Sequence, residues 1–176
     1  PRVLDFSGET KPTLDAYGVD GKPTDVFARQ CILARRLAEA GVRFIELSHA
    51  NWDQHGGLRN KLTANCTAVD QPIAALLADL KQRDMLKDTL VVMASEFGRT
   101  PMAQGNGRDH HIKGYSIWLA GGGIKGGMTY GATDELGWKA AVNPTYSYDF
   151  HATALHLLGI DHERLTFYHN GIQRRL

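Results

Sequence analysis

Three polar clusters along the chain carry residue types that can bind a metal ion or an anion. They contribute Asp53 and His55 in one loop, Glu96 and Arg99 in a second, and Asp109, His110 and His111 in a glycine-rich third. Carboxylate oxygens and imidazole nitrogens together suit zinc, manganese and similar divalent ions. The residue types therefore predict a divalent metal site, provided that the fold brings the three clusters together.

Each cluster also has an ordinary structural interpretation. An Asp-x-His pair is common in surface turns, and a Glu at the end of a strand often caps a helix or forms an ion pair. The third cluster is more specific, because three potential ligands in one loop are costly unless a ligand uses them. In that cluster His110 is expected to bind the ion, while Asp109 or His111 orients the His110 ring. Arg99 is either a clamp for an oxyanion or the partner in an ion pair that closes its loop.

The elements that must position these clusters alternate along the chain. Apolar periodicity predicts helices at about 24–40, 67–83 and 148–158, and β-rich runs predict strands at about 42–47, 89–95 and 115–120. The first 22 residues are predicted to be an irregular lead-in. The continuous apolar run at 89–94 is typical of a buried parallel strand. The pattern predicts an α/β fold with a mostly parallel sheet flanked by helices, and ligands bind at the carboxyl ends of such strands.

Composition limits the classes of protein to which the chain can belong. With 176 residues, 43% of them apolar, and a net charge of +1, residues 1–176 are expected to form a single domain with a buried core. The 20 Lys and Arg are balanced by 19 Asp and Glu without a basic stretch, which argues against a nucleic-acid partner. Apolar runs fall far short of the roughly 18 residues that span a membrane. Two cysteines without a C-x-x-C pair indicate neither a disulfide framework nor a compartment.

The two ends of the chain led to one further expectation. The sequence begins with Pro1 rather than with an initiator methionine or a targeting segment, and it stops at Leu176 without a turn signal. We therefore expect that it is an incomplete fragment of a longer domain.

The order of the clusters resembles the second half of the alkaline phosphatase superfamily. The resemblance extends from Thr24 to Arg175 and is greatest to an uncharacterised bacterial, sulfatase-like branch. Five motifs carry it, at residues 52–56, 95–101, 107–111, 120–127 and 131–137. It implies an alkaline phosphatase-like fold and, for the protein, an exported location.

The resemblance also implies a set of metal ligands. In that superfamily an Asp and a His after one strand bind a metal ion together with a later His, and Asp53 and His55 match the first two positions. Either His110 or His111 matches the third, and Asp109 is expected to bind the ion or to orient a ligand. The implied cofactor is a divalent ion of zinc type.

The resemblance matches only part of the ligand set of a second zinc site. Glu96 stands where the superfamily has an Asp ligand, but Phe97 stands where it has a His. One or two ions are therefore expected, with the second in question because of Phe97. Arg99 is expected to bind the anionic group of the substrate.

The implied substrate is a sulfate or phosphate ester of a small molecule or a saccharide. The nucleophile of the superfamily comes from a strand that would precede Pro1, and Ser48, Ser95 and Thr100 are poor substitutes. We therefore expect a metal-dependent, hydrolase-like domain whose isolated 176-residue chain is inactive. The alternative is a non-catalytic binding or envelope-associated protein that keeps the fold.

Overall fold

The computed structural model describes residues 2–175, so the two terminal residues on which the fragment expectation rests lie outside the described residues. Within that range there are four α-helices: α1 Lys11–Tyr17, α2 Asp25–Glu39, α3 Leu58–Gln82 and α4 Ser147–Leu157. Eight short strands are present in the same range: β1 Leu90–Met93, β2 Gly98–Gln104, β3 Gly107–His111, β4 Trp118–Gly121, β5 Ala132–Thr133, β6 Ala140–Val142, β7 Phe167–His169 and β8 Ile172–Arg174.

The chain divides into two compact units. The first comprises Pro1–Met85 and Ala103–Asp109, and the second comprises Leu86–Met102 and His110–Leu176. This division does not test whether the two units fold as one domain. The single domain expected over residues 1–176 therefore stays a prediction.

The first unit is built on the packing of α2 against α3. The apolar face of α2 buries Phe27, Cys31 and Ile32, and the facing side of α3 buries Leu76 and Leu80. Burial raises the pKa of the Cys31 thiol to about 12, which makes this cysteine a small apolar core residue rather than a reactive one. The predicted helix at 24–40 is confirmed.

Two parts of the first unit differ from the prediction. The supposed irregular lead-in contains α1, whose N-cap Thr10 accepts a hydrogen bond from the Thr13 backbone N–H, and which ends at Gly18 in the left-handed region with φ 81°. Helix α3 begins nine residues earlier than the predicted start at 67. Pro72 therefore lies inside the helix instead of in its first turn, and it is fully buried.

A buried arginine ties the first unit together. Arg35 on α2 is 2% exposed and forms ion pairs with Glu9 at 2.7 Å, with Glu39 at 2.8 Å and with Asp79 on α3 at 3.1 Å. The Tyr17 hydroxyl donates to the same Asp79 carboxylate at 2.9 Å, and burial followed by this bond raises the pKa of Tyr17. The network joins the segment before α1 to all three helices.

The second unit contains short antiparallel pairs. Strand β1 pairs antiparallel with β4, with Leu90 opposite Gly121 and Met93 opposite Trp118. Two further antiparallel pairs in this unit are β5–β6 and β7–β8. Strands β2 and β3, which contain residues of both units, also form a two-stranded sheet. The predicted mostly parallel sheet flanked by helices, and with it the alkaline phosphatase-like fold, is therefore wrong for residues 2–175.

The physical reason lies in the glycines at the end of β4. A Cβ on Gly121 would overlap the backbone oxygens of Leu86 and Thr89, so only glycine allows the two backbone segments to approach. The Gly122 N–H then donates to the Leu86 carbonyl at 2.9 Å. These contacts place the end of β4 beside the start of β1, which makes the pair antiparallel. The run at 42–47 forms no strand, and Phe44 within it is 86% exposed.

Helix α4 lies where the pattern at 148–158 predicted it. The Asp149 carboxylate accepts from the Tyr146 backbone N–H at 2.8 Å and so caps the first turn. None of the described helices combines the length and apolarity needed to cross a membrane.

We expect Arg35→Met to lower the free energy of unfolding of the first unit by about 3–5 kcal/mol, because it leaves buried carboxylates without their cation. Denaturant unfolding monitored by circular dichroism measures the change. Arg43→Met, at an exposed position, is the matched control and should have little effect. An equal effect of the two substitutions would show that the network does not stabilise the unit.

The same network predicts a pH dependence. Burial alone would raise the pKa of Glu9, but hydrogen bonds from Arg35 and Arg36 outweigh it and hold this pKa below the ordinary range. A depressed folded-state pKa contributes stability above the unfolded-state value of about 4.3, and this contribution is lost as the pH falls through the folded-state pKa.

Unfolding free energies should therefore fall between about pH 5 and pH 3, and Glu9→Gln should flatten this fall while lowering the stability at pH 7. Glu46→Gln, at an exposed position, is the control and should leave the pH profile unchanged. A Glu9→Gln profile parallel to that of the parent chain would contradict the assignment.

Candidate metal centre

The loop that carries Asp53 and His55 is fastened to the turn between β2 and β3. The Gly57 N–H donates to the side-chain oxygen of Asn106 at 2.8 Å, and the Leu58 N–H donates to the backbone carbonyl of the same asparagine at 3.2 Å. The Arg108 N–H donates to the Gln54 carbonyl at 3.1 Å. The loop is thus held by backbone hydrogen bonds at both ends of the turn.

Gly107 permits this close approach. A Cβ at this position would overlap the backbone of Gln54 and His55. Any larger residue would therefore push the loop away from β3.

A second set of contacts holds the loop from the helical side. Asn51, with φ 72°, presents its carbonyl to the side-chain amides of Gln54 at 2.9 Å and of Asn65 on α3 at 2.7 Å. Gln54 is 3% exposed, so its side chain anchors the loop and leaves Asp53 and His55 on the accessible side. Upstream, the ring of His49 lies edge-on to those of Phe27 and Trp52, at 5.6 and 5.8 Å between centroids.

His55 faces an oxygen atom at each of its ring nitrogens. Its Nδ1 is hydrogen bonded to Oε1 of Gln104, and its Nε2 lies 3.0 Å from Oδ1 of Asp53. Asp109 adds a carboxylate oxygen 3.9 Å from Nδ1. A neutral imidazole has one N–H and satisfies one of these acceptors. Both contacts are satisfied when a proton or a metal ion occupies the other nitrogen, or when Gln104 presents its amide NH₂ to Nδ1.

Asp53, His55 and His110 offer one ligand atom each within 4.8 Å of one another, so these three residues form a possible metal-binding triad. Two atoms bound to one zinc ion at 2.0–2.2 Å lie no more than about 4.4 Å apart. A pair of ligand atoms at the 4.8 Å limit would therefore have to close by roughly 0.4 Å or more. Asp53 and His55 are accessible side chains in a loop, so side-chain rotation supplies this movement.

His110 is oriented by an aromatic stack. Its ring lies on that of Phe97 at 4.1 Å between centroids and 27° between planes. The Arg99 guanidinium lies 5.8 Å from the centroid of the same Phe97 ring. Phe97, which the sequence suggested only as a missing ligand, therefore packs against one member of the triad.

Glu96 is accessible and does not belong to the triad. Its carboxylate accepts from its own backbone N–H and from the Ser95 hydroxyl, the latter at 3.1 Å, and these bonds lower its pKa. Electrostatic interaction with His110 and with Arg99 lowers the pKa of Glu96 further. Glu96 therefore contributes negative charge near His110 rather than a ligand of this group.

Alternation along β3 separates the two adjacent histidines. Successive side chains of a strand point to opposite faces, and His111 is buried where His110 is exposed. Nε2 of His111 donates to the Trp138 carbonyl at 2.9 Å. Of the two histidines that the sequence left open, His110 joins Asp53 and His55, while Asp109 lies beside His55.

Gln104 is the functional residue that sequence reasoning missed. Nothing in the sequence distinguishes this glutamine from one on the surface of a polar strand. Its contact with His55 arises only because the β2–β3 turn lies against the loop that carries His55. The only available hint was the Gly105-Asn106 turn, in which Gly105 adopts φ 58°.

Comparison with known proteins corrects the resemblance. A family model described as "Protein of unknown function (DUF1501)" matches residues 1–176. No curated protein and no solved structure is detectably similar to the chain. The identification with the sulfatase-like branch of the alkaline phosphatase superfamily is therefore wrong, because the motifs belong to a family without an assigned function.

Removing the Gln104 acceptor should weaken metal binding while leaving all three ligands in place. Gln104→Leu frees Nδ1 of His55, and loss of such an outer hydrogen bond typically lowers metal affinity 10–100-fold. Calorimetric titration with a divalent ion measures the change, with Gln82→Leu on the exposed end of α3 as control. Equal affinities for the two variants would contradict the orienting role of Gln104.

Proposed function

We propose that this chain, which belongs to the DUF1501 family of proteins of unknown function, is a hydrolase-like domain that binds a phosphate or sulfate ester through one divalent metal ion. The ligands of the ion are Asp53, His55 and His110. The observation that carries the proposal is that Asp53, His55 and His110 offer one ligand atom each within 4.8 Å of one another.

The donor set favours zinc. One carboxylate and two imidazoles are borderline ligands of the kind that zinc prefers, and three protein ligands leave a fourth position for water or substrate. One such cluster is present among residues 2–175. Phe97 supports a single ion, because its ring packs on His110 and offers no donor atom for a second one.

The charge of the site favours an anionic ligand. Two neutral imidazoles and one carboxylate leave a divalent ion with a net charge of about +1. When bound, such an ion acts as a Lewis acid on an ester oxygen and lowers the pKa of a bound water. In this chain, Asp53 and the two imidazoles hold the site together, Gln104 fixes the tautomer of His55, and Arg99 supplies a second positive charge on the side of Phe97.

The available hydroxyl groups distinguish catalysis from binding. The Ser95 hydroxyl donates to Glu96 at 3.1 Å, and the Thr100 hydroxyl donates to the Met102 carbonyl at 3.1 Å. A carbonyl oxygen cannot take up the proton of Thr100, and the lowered pKa of Glu96 makes this carboxylate a weak general base for Ser95. This favours the second candidate function, a metal-containing binding domain, for the isolated chain. Substrate turnover by the isolated chain is accordingly not expected.

Metal titration tests the proposal. The metal-stripped chain should bind one equivalent of Co²⁺, giving a visible absorption band of a low-coordinate nitrogen and oxygen site, and Zn²⁺ should displace it. Asp53→Asn, His55→Ala and His110→Ala should each lower the affinity at least tenfold, because each removes one of three protein ligands. His169→Ala, at an exposed position, is the control.

Two results would overturn the assignment. One is the absence of a stoichiometric site, and the other is unchanged affinity in the His55→Ala variant. Aryl phosphate and aryl sulfate should not be hydrolysed by the metal-loaded chain. Turnover that is lost in Ser95→Ala or Thr100→Ala would show that the chain is catalytic by itself and identify its nucleophile.

A further inference from the structure

The accessible surface of the chain is larger than its mass predicts. A compact monomeric protein of about 10 kDa, the size of either unit, exposes roughly 5,000 Å², so two such proteins would expose roughly 10,000 Å² without sharing any surface. The chain exposes 12529 Å². About 2,000 Å² of surface is therefore exposed that proteins of this mass ordinarily bury.

The unburied apolar surface lies mainly in the second unit. The buried apolar side chains of residues 2–175 lie between Tyr17 and Leu80, so all of them belong to the first unit. In the second unit even α4 has no buried residue, and most of the large apolar side chains that are exposed in the chain belong to this unit. Exposed apolar surface of this extent is typical of an interface with another molecule.

Strand β1 has an open edge within this unit. It pairs with β4 along one side, and no other strand among residues 2–175 pairs with it. In an antiparallel pair, alternate residues direct their backbone N–H and C=O groups away from the partner strand. The open edge of β1 therefore presents backbone groups to which a further strand can bind.

Nothing in β1 discourages such pairing. Edge strands ordinarily carry a lysine, a proline or a bulge that keeps other strands away. Strand β1 consists of two valines, a leucine and a methionine, and its register with β4 is continuous. Val92 and Met93 point to opposite faces of the sheet and are 38% and 43% exposed. Both faces of the strand therefore still have apolar surface to bury.

Area, charge and symmetry favour a second copy of this chain as the molecule that covers the edge. Obligate homodimers bury about 1,000–2,500 Å² per chain, which matches the extra surface. The net charge of +1 gives two copies little mutual repulsion. A strand edge is also complementary to itself, because a two-fold axis places two identical strands antiparallel.

We propose that the chain forms a two-fold homodimer in which the β1 strands of two copies pair antiparallel. The two sheets then join into one four-stranded sheet in the order β4–β1–β1–β4. The exposed side chains of Val92 and Met93 are covered, together with apolar side chains that flank the sheet in the second unit. This inference goes beyond the proposed function, and the pairing needs no metal ion.

Sedimentation velocity of the full chain measures the association. The chain should sediment as a particle of twice its mass of 19.4 kDa. Val92→Lys brings two like charges together beside the two-fold axis, and it should raise the dissociation constant of the dimer at least about tenfold. Val26→Lys, at an even more exposed apolar position in the first unit, is the matched control and should leave the dissociation constant unchanged.

Hydrogen exchange of the unsubstituted chain gives a second readout, which does not depend on whether a variant folds. The amides of residues 90–93 that face the open edge should exchange slowly in the dimer. Their exchange should become faster when the chain is diluted below the dissociation constant. The amides of α2, which lies in the core of the first unit, should not respond to dilution.

A chain that sediments as a monomer at every concentration would overturn the proposal. Exchange of the β1 amides that does not depend on dilution would overturn it as well, and so would an unchanged dissociation constant in Val92→Lys. Growth beyond the dimer would contradict a closed two-fold pairing. If Val92→Lys does not fold, the exchange measurement on the unsubstituted chain decides the question.

Discussion

The imidazole of His55 is the constraint on which the site depends. It has one ring nitrogen against Gln104 and the other against Asp53, and a neutral ring cannot donate to both oxygens. The surrounding chain fixes this arrangement rather than relieving it, because Gly107 brings β3 against the loop and Asn106 fastens the loop to the turn. A proton or a metal ion at the second ring nitrogen satisfies both of these contacts.

The first unit can hold such a loop because its helices are locked by charge as well as by apolar packing. Arg35 is buried among carboxylates from α2, α3 and the segment before α1. A buried ion-pair network of this kind gives less net stability than apolar packing, but it is very sensitive to the loss of one partner. The network thus connects α2 with α3, and α3 in turn supplies Asn65 to the Asn51 carbonyl in the loop that carries Asp53 and His55.

Local patterns predicted α2 and α4, but not α1, the start of α3 or the sheets. The spacing that defines α2 is set by residues close in sequence, and carboxylates beside imidazoles have a metal chemistry whatever the fold. Pairing of β1 with β4 depends instead on Gly121, which the sequence marked only as a turn. The choice between His110 and His111 needed the alternation of a strand that had been expected to be a loop.

The most direct measurement is X-ray absorption at the zinc edge of the zinc-loaded chain. The predicted spectrum has a nearest shell of nitrogen and oxygen atoms at about 2.0–2.1 Å, together with outer-shell scattering from two imidazole rings. That scattering should fall to one ring in His110→Ala. A shell of oxygen atoms alone, without imidazole scattering, would contradict a metal centre built on His55 and His110.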